Sequence, residues 1–352
     1  MTDKLAQSYA MLDKLRLPNG MYLASTSSDY YYTWLRDTVY EVFPYLDKTC
    51  DRYEKTYHRI LDMFREYEWK LDIHQTVKPV EQWEFIHARY DANTVREIDT
   101  PWGHIQFDSL GAVLFGIGEG IRVGKNIIRD DKDREIIQKL VGYLNCCEYW
   151  STPDNGMWEE WQEVHSSSVG ACIAGLQAVR EIVFVPREMI LKGYNTLSNM
   201  FPIESIDRPV DLAQLSLVYP YKTFFGHDAE LIVHRVETLL LRKRGCARYL
   251  GDSYYATNEH EGRHLPLTNF YGYEAEWCFA KPWLALCHME LGNYEKAKQY
   301  IEETEDLMLE DGSIPELYFA NSSKFNGNTP LGWCSGMYIL AKEKYMAHVE
   351  GE

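Results

Sequence analysis

Apolar residues recur at every third or fourth position along most of this 352-residue chain, the spacing of helices with one buried face. Strict alternation of apolar and polar residues, the mark of a half-buried strand, is almost absent. The pattern predicts helices over 5–15, 33–45, 53–69, 107–121, 133–149, 167–183, 188–200, 229–241, 274–291, 294–307 and 332–346. In the third of these, Ile60, Leu61, Phe64 and Tyr67 share a face. The stretch 212–219 is ambiguous.

Helix starts and stops are legible in the same way. Asp130 and Asp131 precede one helix, Ser166, Ser167 and Ser168 open another, and Asn293 begins a third. Gly292 and the pair Asp311-Gly312 follow helix ends. No proline-, serine- or glycine-rich hinge, low-complexity tract or sequence repeat interrupts the series, so a single all-α domain over 1–352, built of paired helices, is expected. The segments richest in chemistry fall where loops meet helix starts. An α/α barrel gathers such loops at one end.

Composition narrows what such a scaffold could hold. Aromatics make up 14% of the chain, with 26 Tyr and 10 Trp, more than an ordinary domain carries. Most must fill the core; those beside carboxylates are candidates for stacking on a ligand. The formal net charge of −17 repels phosphate backbones and anionic lipid headgroups, and no basic patch interrupts it, so neither nucleic acid nor membrane is an expected partner. No stretch reaches the roughly 18 uninterrupted apolar residues of a membrane span, and the N-terminus lacks an apolar leader. A cytoplasmic location is expected. The eight cysteines show neither paired framework spacing nor C-x-x-C, so they read as reduced and mostly buried thiols.

Two acidic segments then stand out, Gly156-Met157-Trp158-Glu159-Glu160 and Ser313-Ile314-Pro315-Glu316. Hydrolysis of a glycosidic bond needs one protonated carboxyl for the leaving oxygen and one ionised carboxylate for water. Burial against Trp158 would raise Glu159, and a more solvated Glu316 would stay ionised. Tyr30-Tyr31-Tyr32-Thr33-Trp34-Leu35-Arg36-Asp37 sets four aromatics beside a guanidinium fork and a carboxylate, which suits sugar hydroxyls and equally suits a charged helix start. In Trp102-Gly103-His104-Ile105-Gln106-Phe107-Asp108, Trp102 reads either as core or as site, and Asp108 as a first-turn dipole partner. Gly116-Ile117-Gly118-Glu119-Gly120 lacks the spacing of a nucleotide loop and reads as close helix packing. His260-Glu261-Gly262-Arg263-His264 spells a zinc motif, but Gly262 and Pro266 interrupt the helix that zinc would need, so no metal and no cofactor are expected.

Taken together these segments resemble glycoside hydrolase family 15, the glucoamylase-like (α/α)6 barrels, and the related N-terminal domains of phosphorylase kinase α and β subunits. The resemblance runs through Tyr30 to Asp37, Trp102 to Asp108, Trp158 to Glu160, Arg248-Tyr249 with Asp252 and Glu276-Trp277, and Pro315-Glu316 followed by Pro330-Leu331-Gly332-Trp333, in the family's order. It implies an inverting, exo-acting hydrolase of short α-glucosides that releases β-glucose. Glu159 matches the general acid and Glu316 the base. Tyr30, Trp34, Arg36, Asp37, Trp102, Gln106, Trp158, Glu160, Arg248 and Trp333 match substrate-binding positions. For inversion the two carboxyl groups should stand roughly 6.5 to 9.5 Å apart. The likeness to kinase subunits implies a rival, a catalytically silent carbohydrate-binding regulator. A third reading keeps hydrolysis but moves it to trehalose or an isomaltose-type sugar, with specificity set near Trp161, Glu163 and the stretch Phe319 to Phe325.

Overall fold

The computed structural model describes residues 3–256 and 270–351; His260-Glu261-Gly262-Arg263-His264 lies outside the described residues. Twelve α-helices occur among the described residues. In chain order they are α1 (Lys4–Leu15), α2 (Leu35–Val42), α3 (Arg52–Glu66), α4 (Glu68–Ile73), α5 (Phe107–Arg122), α6 (Asp131–Cys147), α7 (Ser166–Val179), α8 (Arg187–Met200), α9 (Gly226–Leu239), α10 (Ala280–Glu290), α11 (Tyr294–Leu307) and α12 (Gly332–Gly351). The ambiguous stretch is a 3-10 helix over Leu212–Leu217, capped by Asp211, whose carboxylate accepts the Ala213 N–H at 2.7 Å. Asp130 and Asn293 cap α6 and α11 as their side-chain chemistry dictates. Ser166 does not cap α7: it is already the first helical residue, and His165 precedes it in extended conformation.

The expectation of no sheet needs correcting. Among the described residues there are two short antiparallel ribbons, β1 (Tyr32–Trp34) with β2 (Arg89–Asp91) and β3 (Glu276–Trp277) with β4 (Leu317–Tyr318). Strands of two or three residues are too short to show a period of two, and the stretches 33–45 and 274–291, expected to be helical from their first residues, begin as these strands. The helix expected over 53–69 is likewise two, α3 and α4, broken at Tyr67.

The chain divides into two compact units, neither continuous in sequence. The first comprises Met1–Leu15, Ala24–Tyr31 and Pro202–Glu352. Its core is aromatic: Trp283 is fully buried and its indole N–H donates to the Tyr219 carbonyl at 2.7 Å, while Phe279 and Trp333 stack with centroids 4.7 Å apart. The second comprises Arg16–Leu23 and Tyr32–Phe201. There α5 and α7 meet through glycine: a Cβ on Gly111 would lie 2.4 Å from the Ala171 carbonyl carbon, and one on Gly118 would lie 2.4 Å from the Ala178 Cβ. The glycine-rich run is therefore helix packing, as its spacing implied. All eight cysteines are free and six are buried. No described helix is long and apolar enough to cross a membrane.

Candidate functional site

In the second unit the β1–β2 ribbon delivers the chain into α2, so that Arg36 and Asp37 occupy its first turn. Arg36 is buried, and its Nη1 donates to Asp108 at 3.0 Å and to Gln106 at 3.1 Å. Its Nη2 lies 3.4 Å from Glu159 Oε1 and 3.9 Å from Asp37. Asp108 thus does more than complement a helix dipole. Burial pushes the Asp37 carboxyl up to about 6, against the pull of Arg36.

Glu159 sits on a tight turn with φ of +63°, in the left-handed region that residues with a Cβ seldom adopt. Neighbouring loops hold it there. The Asn155 backbone N–H donates to the Ile105 carbonyl and its carbonyl accepts the Glu160 N–H, while its side chain accepts the Ile105 N–H at 3.1 Å and donates to the Glu160 carbonyl at 2.5 Å. Gly103 comes so close that a Cβ on it would stand 2.8 Å from the Glu159 carbonyl oxygen. Trp102 is 38% exposed, which excludes the core reading, and its indole N–H donates to Glu159 Oε2 at 2.6 Å. Trp34, Gln106, Trp158 and Glu160 are buried nearby in sequence, Gln106 bridging Arg36 and the Gly103 carbonyl. Beneath them, Asp154 accepts the first N–H of α5 at 2.9 Å, and burial pushes it up to about 7.

The first unit carries the second carboxylate. Glu316 precedes β4, whose pairing with β3 sets Trp277 opposite Leu317. A hairpin-like loop over 317–326, closed by hydrogen bonds from Phe319 to Lys324 and from Asn326 to Leu317, returns the chain to Glu316. Asn326 and Asn328 both donate amide N–H groups to Glu316 Oε2, the latter at 3.1 Å, and the Tyr30 hydroxyl bonds the same carboxylate. Tyr30 in turn lies 3.3 Å from the Tyr254 hydroxyl. Arg248 grips Asp252 with two bonds of 2.7 and 2.8 Å and faces the rings of Tyr254 and Trp277, each 4.9 Å away. Trp333 packs on Phe279 and Trp283 with 4% of its surface exposed.

The solvation expected of the two glutamates is inverted. Glu316 is 1% exposed, and burial pushes it up to about 7, with Asn326, Tyr30 and Asn328 opposing by stabilising the ionised form. Glu159 is the partly covered one, its side chain 11% exposed. Arg89, Asn155, Tyr254, Asn326 and Asn328 were missed in the sequence. The only available signal was the turn-forming run Asn326-Gly327-Asn328-Thr329-Pro330.

Each unit thus holds one loop-borne glutamate on a mainly helical scaffold, Glu159 against Arg36 and Trp102 and Glu316 against Asn326, Asn328 and Tyr30. A wild-type glycosidase structure, 19% identical, superposes with a TM-score of 0.82 over 97% of this chain and 96% of its own. A glycosidase variant in complex with glucose, 18% identical, gives the same score and coverage, and the glucoamylase of Saccharomycopsis fibuligera, 15% identical, scores 0.67 over 98% of this chain and 96% of its own. The fold is the (α/α)6 barrel. Residues 5–262, well over half of the chain, match the profile of glycosyl hydrolases family 15, and the chain belongs to that family. The rabbit (Oryctolagus cuniculus) phosphorylase b kinase regulatory subunit alpha, skeletal muscle isoform, is 25% identical over 90% of this chain. An uncharacterized glycosyl hydrolase of Methanocaldococcus jannaschii is 22% identical over 67% of this chain and 41% of its own length. The chain spans between 25% and 32% of the length of the kinase subunits it matches. Among the described residues no group of three or more His, Cys, Asp or Glu is gathered as a metal would require.

Proposed function

We propose that this protein is an inverting, exo-acting α-glucosidase that releases β-glucose from the non-reducing end of short α-linked oligosaccharides. The observation that carries the reading is the setting of Glu316, a buried carboxyl met by Asn326, Asn328 and Tyr30. Three groups that stabilise the ionised form of a carboxylate, in a site that otherwise disfavours charge, equip it to take a proton from water near neutral pH. Glu159 acts as the general acid. Trp102 donates to its Oε2 and Arg36 Nη2 lies 3.4 Å from its Oε1, so the carboxyl is held at both oxygens in the orientation from which it protonates the leaving group. Arg36 and Asp37 bind hydroxyls of the terminal glucose, the half-exposed face of Trp102 covers its apolar side, and Arg248 supplies another sugar contact.

A second reading has its own support. The kinase subunits among the relatives are named as regulatory, and a chain of this kind could bind an oligosaccharide without cleaving it. The discriminating experiment is glucose release from maltose, maltotriose, isomaltose and trehalose by purified protein, the anomer followed by NMR, with Glu316→Gln as control. Release of β-glucose that the control abolishes establishes the glucosidase, and the best substrate names the linkage. Calorimetric binding of one of these sugars with no release from any of them establishes the regulator.

A further inference from the structure

Arg89 belongs to none of the motifs that the sequence singled out, yet it lies against the residue that holds Glu159. It is 5% exposed on β2, and its guanidinium stands 3.8 Å from the Trp102 ring centroid, 4.5 Å from that of Tyr32 and 5.6 Å from that of Trp34. Guanidinium planes stack on aromatic faces, and such contacts strengthen when water is excluded. Among the described residues no carboxylate comes within ion-pair distance of Arg89; Glu159 acts on it at longer range. Its charge is thus left to the rings, whereas that of Arg36 is shared among Asp108, Asp37 and Glu159.

The strand that carries Arg89 grips the Trp102 segment at two further points. Arg89 Nη2 donates to Thr100 Oγ1 at 3.3 Å, and His87, two residues before it, stacks on His104, two residues after Trp102, with centroids 3.7 Å apart and planes 14° apart. Burial holds both imidazoles neutral, His104 down to about 4 and His87 down to about 2, so that no like-charge repulsion opens the stack at neutral pH. Lys70 anchors the strand's approach from α4 through the carbonyls of Trp83 and Phe85 and the Glu97 carboxylate.

A half-exposed indole has several rotamers open to it, and only one delivers its N–H to Glu159 Oε2. We infer that Arg89 is a positioning residue: by stacking on Trp102 it fixes the indole N–H on Glu159 Oε2 and so holds the Glu159 carboxyl in the orientation from which it delivers a proton. The stacking role concerns geometry alone; its catalytic consequence rests on the reading of Glu159 as the acid.

The test uses the full chain with 15N-indole tryptophan. The Trp102 resonance is assigned with Trp102→Phe, and its position without the carboxylate is read from Glu159→Gln. Arg89→Met is expected to move that resonance toward the Glu159→Gln position while those of Trp283 and Trp333 stay in place, and Arg89→Lys, which keeps the charge without the flat face, is expected to do the same. A Trp102 resonance unmoved in Arg89→Met overturns the inference. In kinetics, Arg89→Met should lower kcat on the natural disaccharide by about tenfold and leave an activated aryl glucoside within about twofold, because a good leaving group needs no proton. Equal losses on both substrates overturn it as well. A moved resonance in a protein that releases no glucose supports the stacking role and removes only the reading of Glu159 as an acid.

Discussion

Asn328 donates its amide N–H to Glu316 Oε2 at 3.1 Å while its own carbonyl oxygen accepts the Ser27 hydroxyl at 2.7 Å. The base candidate is thus oriented by an amide that is itself oriented. A hydrogen bond to a charged group contributes about 1.5 to 3 kcal/mol, against 1.36 kcal/mol per pH unit of a titration. Asn328→Leu should therefore move the acidic limb of the kcat/KM profile upward by about one pH unit or more. A profile that keeps its midpoint would show that the contact does not stabilise the ionised form.

Burial alone makes Glu316 costly to ionise in the folded state. Its folded value, pushed up to about 7 from 4.5, means that its favourable contribution is complete below pH 4.5 and is lost as pH rises through about 7. Glu316→Gln removes that titration. The variant should gain on the parent as pH rises, by about 1.4 kcal/mol per pH unit across the window and roughly 3 kcal/mol in all. Urea midpoints at pH about 5 and about 8 read the difference, and parallel curves at both would contradict it.

The two glutamates should answer differently to the leaving group. Glu159→Gln loses proton donation, which an activated aryl glucoside does not need, so activity on that substrate should recover by about a hundredfold relative to a disaccharide. Glu316→Gln loses water activation for every substrate and should show no such recovery. Initial rates on the two substrates decide it; equal recovery in both variants would exchange or abolish the roles.

The scaffold beneath the acid candidate depends on helices too close for side chains. Gly111→Ala would put a methyl 2.4 Å from the backbone of α7, forcing α5 away from it. Overpacking of this kind costs about 1 to 3 kcal/mol or more. A lowered urea midpoint is expected, with kcat falling too because α5 carries Asp108, the partner of Arg36.

Much of the fold was legible because helices are local. The hydrogen bonds and the apolar stripe of α5 or α11 lie within its own residues, so spacing, an N-cap and a terminal glycine locate it: α11 was expected over 294–307 and runs Tyr294–Leu307. The ribbons were not legible, because each strand of two or three residues exists only by pairing with a distant one: Tyr32 faces Asp91, 59 positions on, and Glu276 faces Tyr318, 42 positions on, outside the ladder of any nearby turn.

The same division runs through the candidate site. By itself the sequence determined which residues carry charge and aromatic faces, and so which carboxylates, Glu159 and Glu316, were worth pairing with Arg36, Trp102 and Tyr30. Only the tertiary structure decided how each is solvated and held. Glu316 follows the polar run Asp311-Gly312-Ser313 and was expected to face water, but β3, Tyr30 and the loop bearing Asn326 and Asn328 converge on it from distant segments. Arg89 became part of the site only when β2 paired with β1 beneath Trp102. Burial, stacking and hydrogen-bond donation are sums over whatever segments the fold brings within a few ångströms, and no local window of sequence contains that sum.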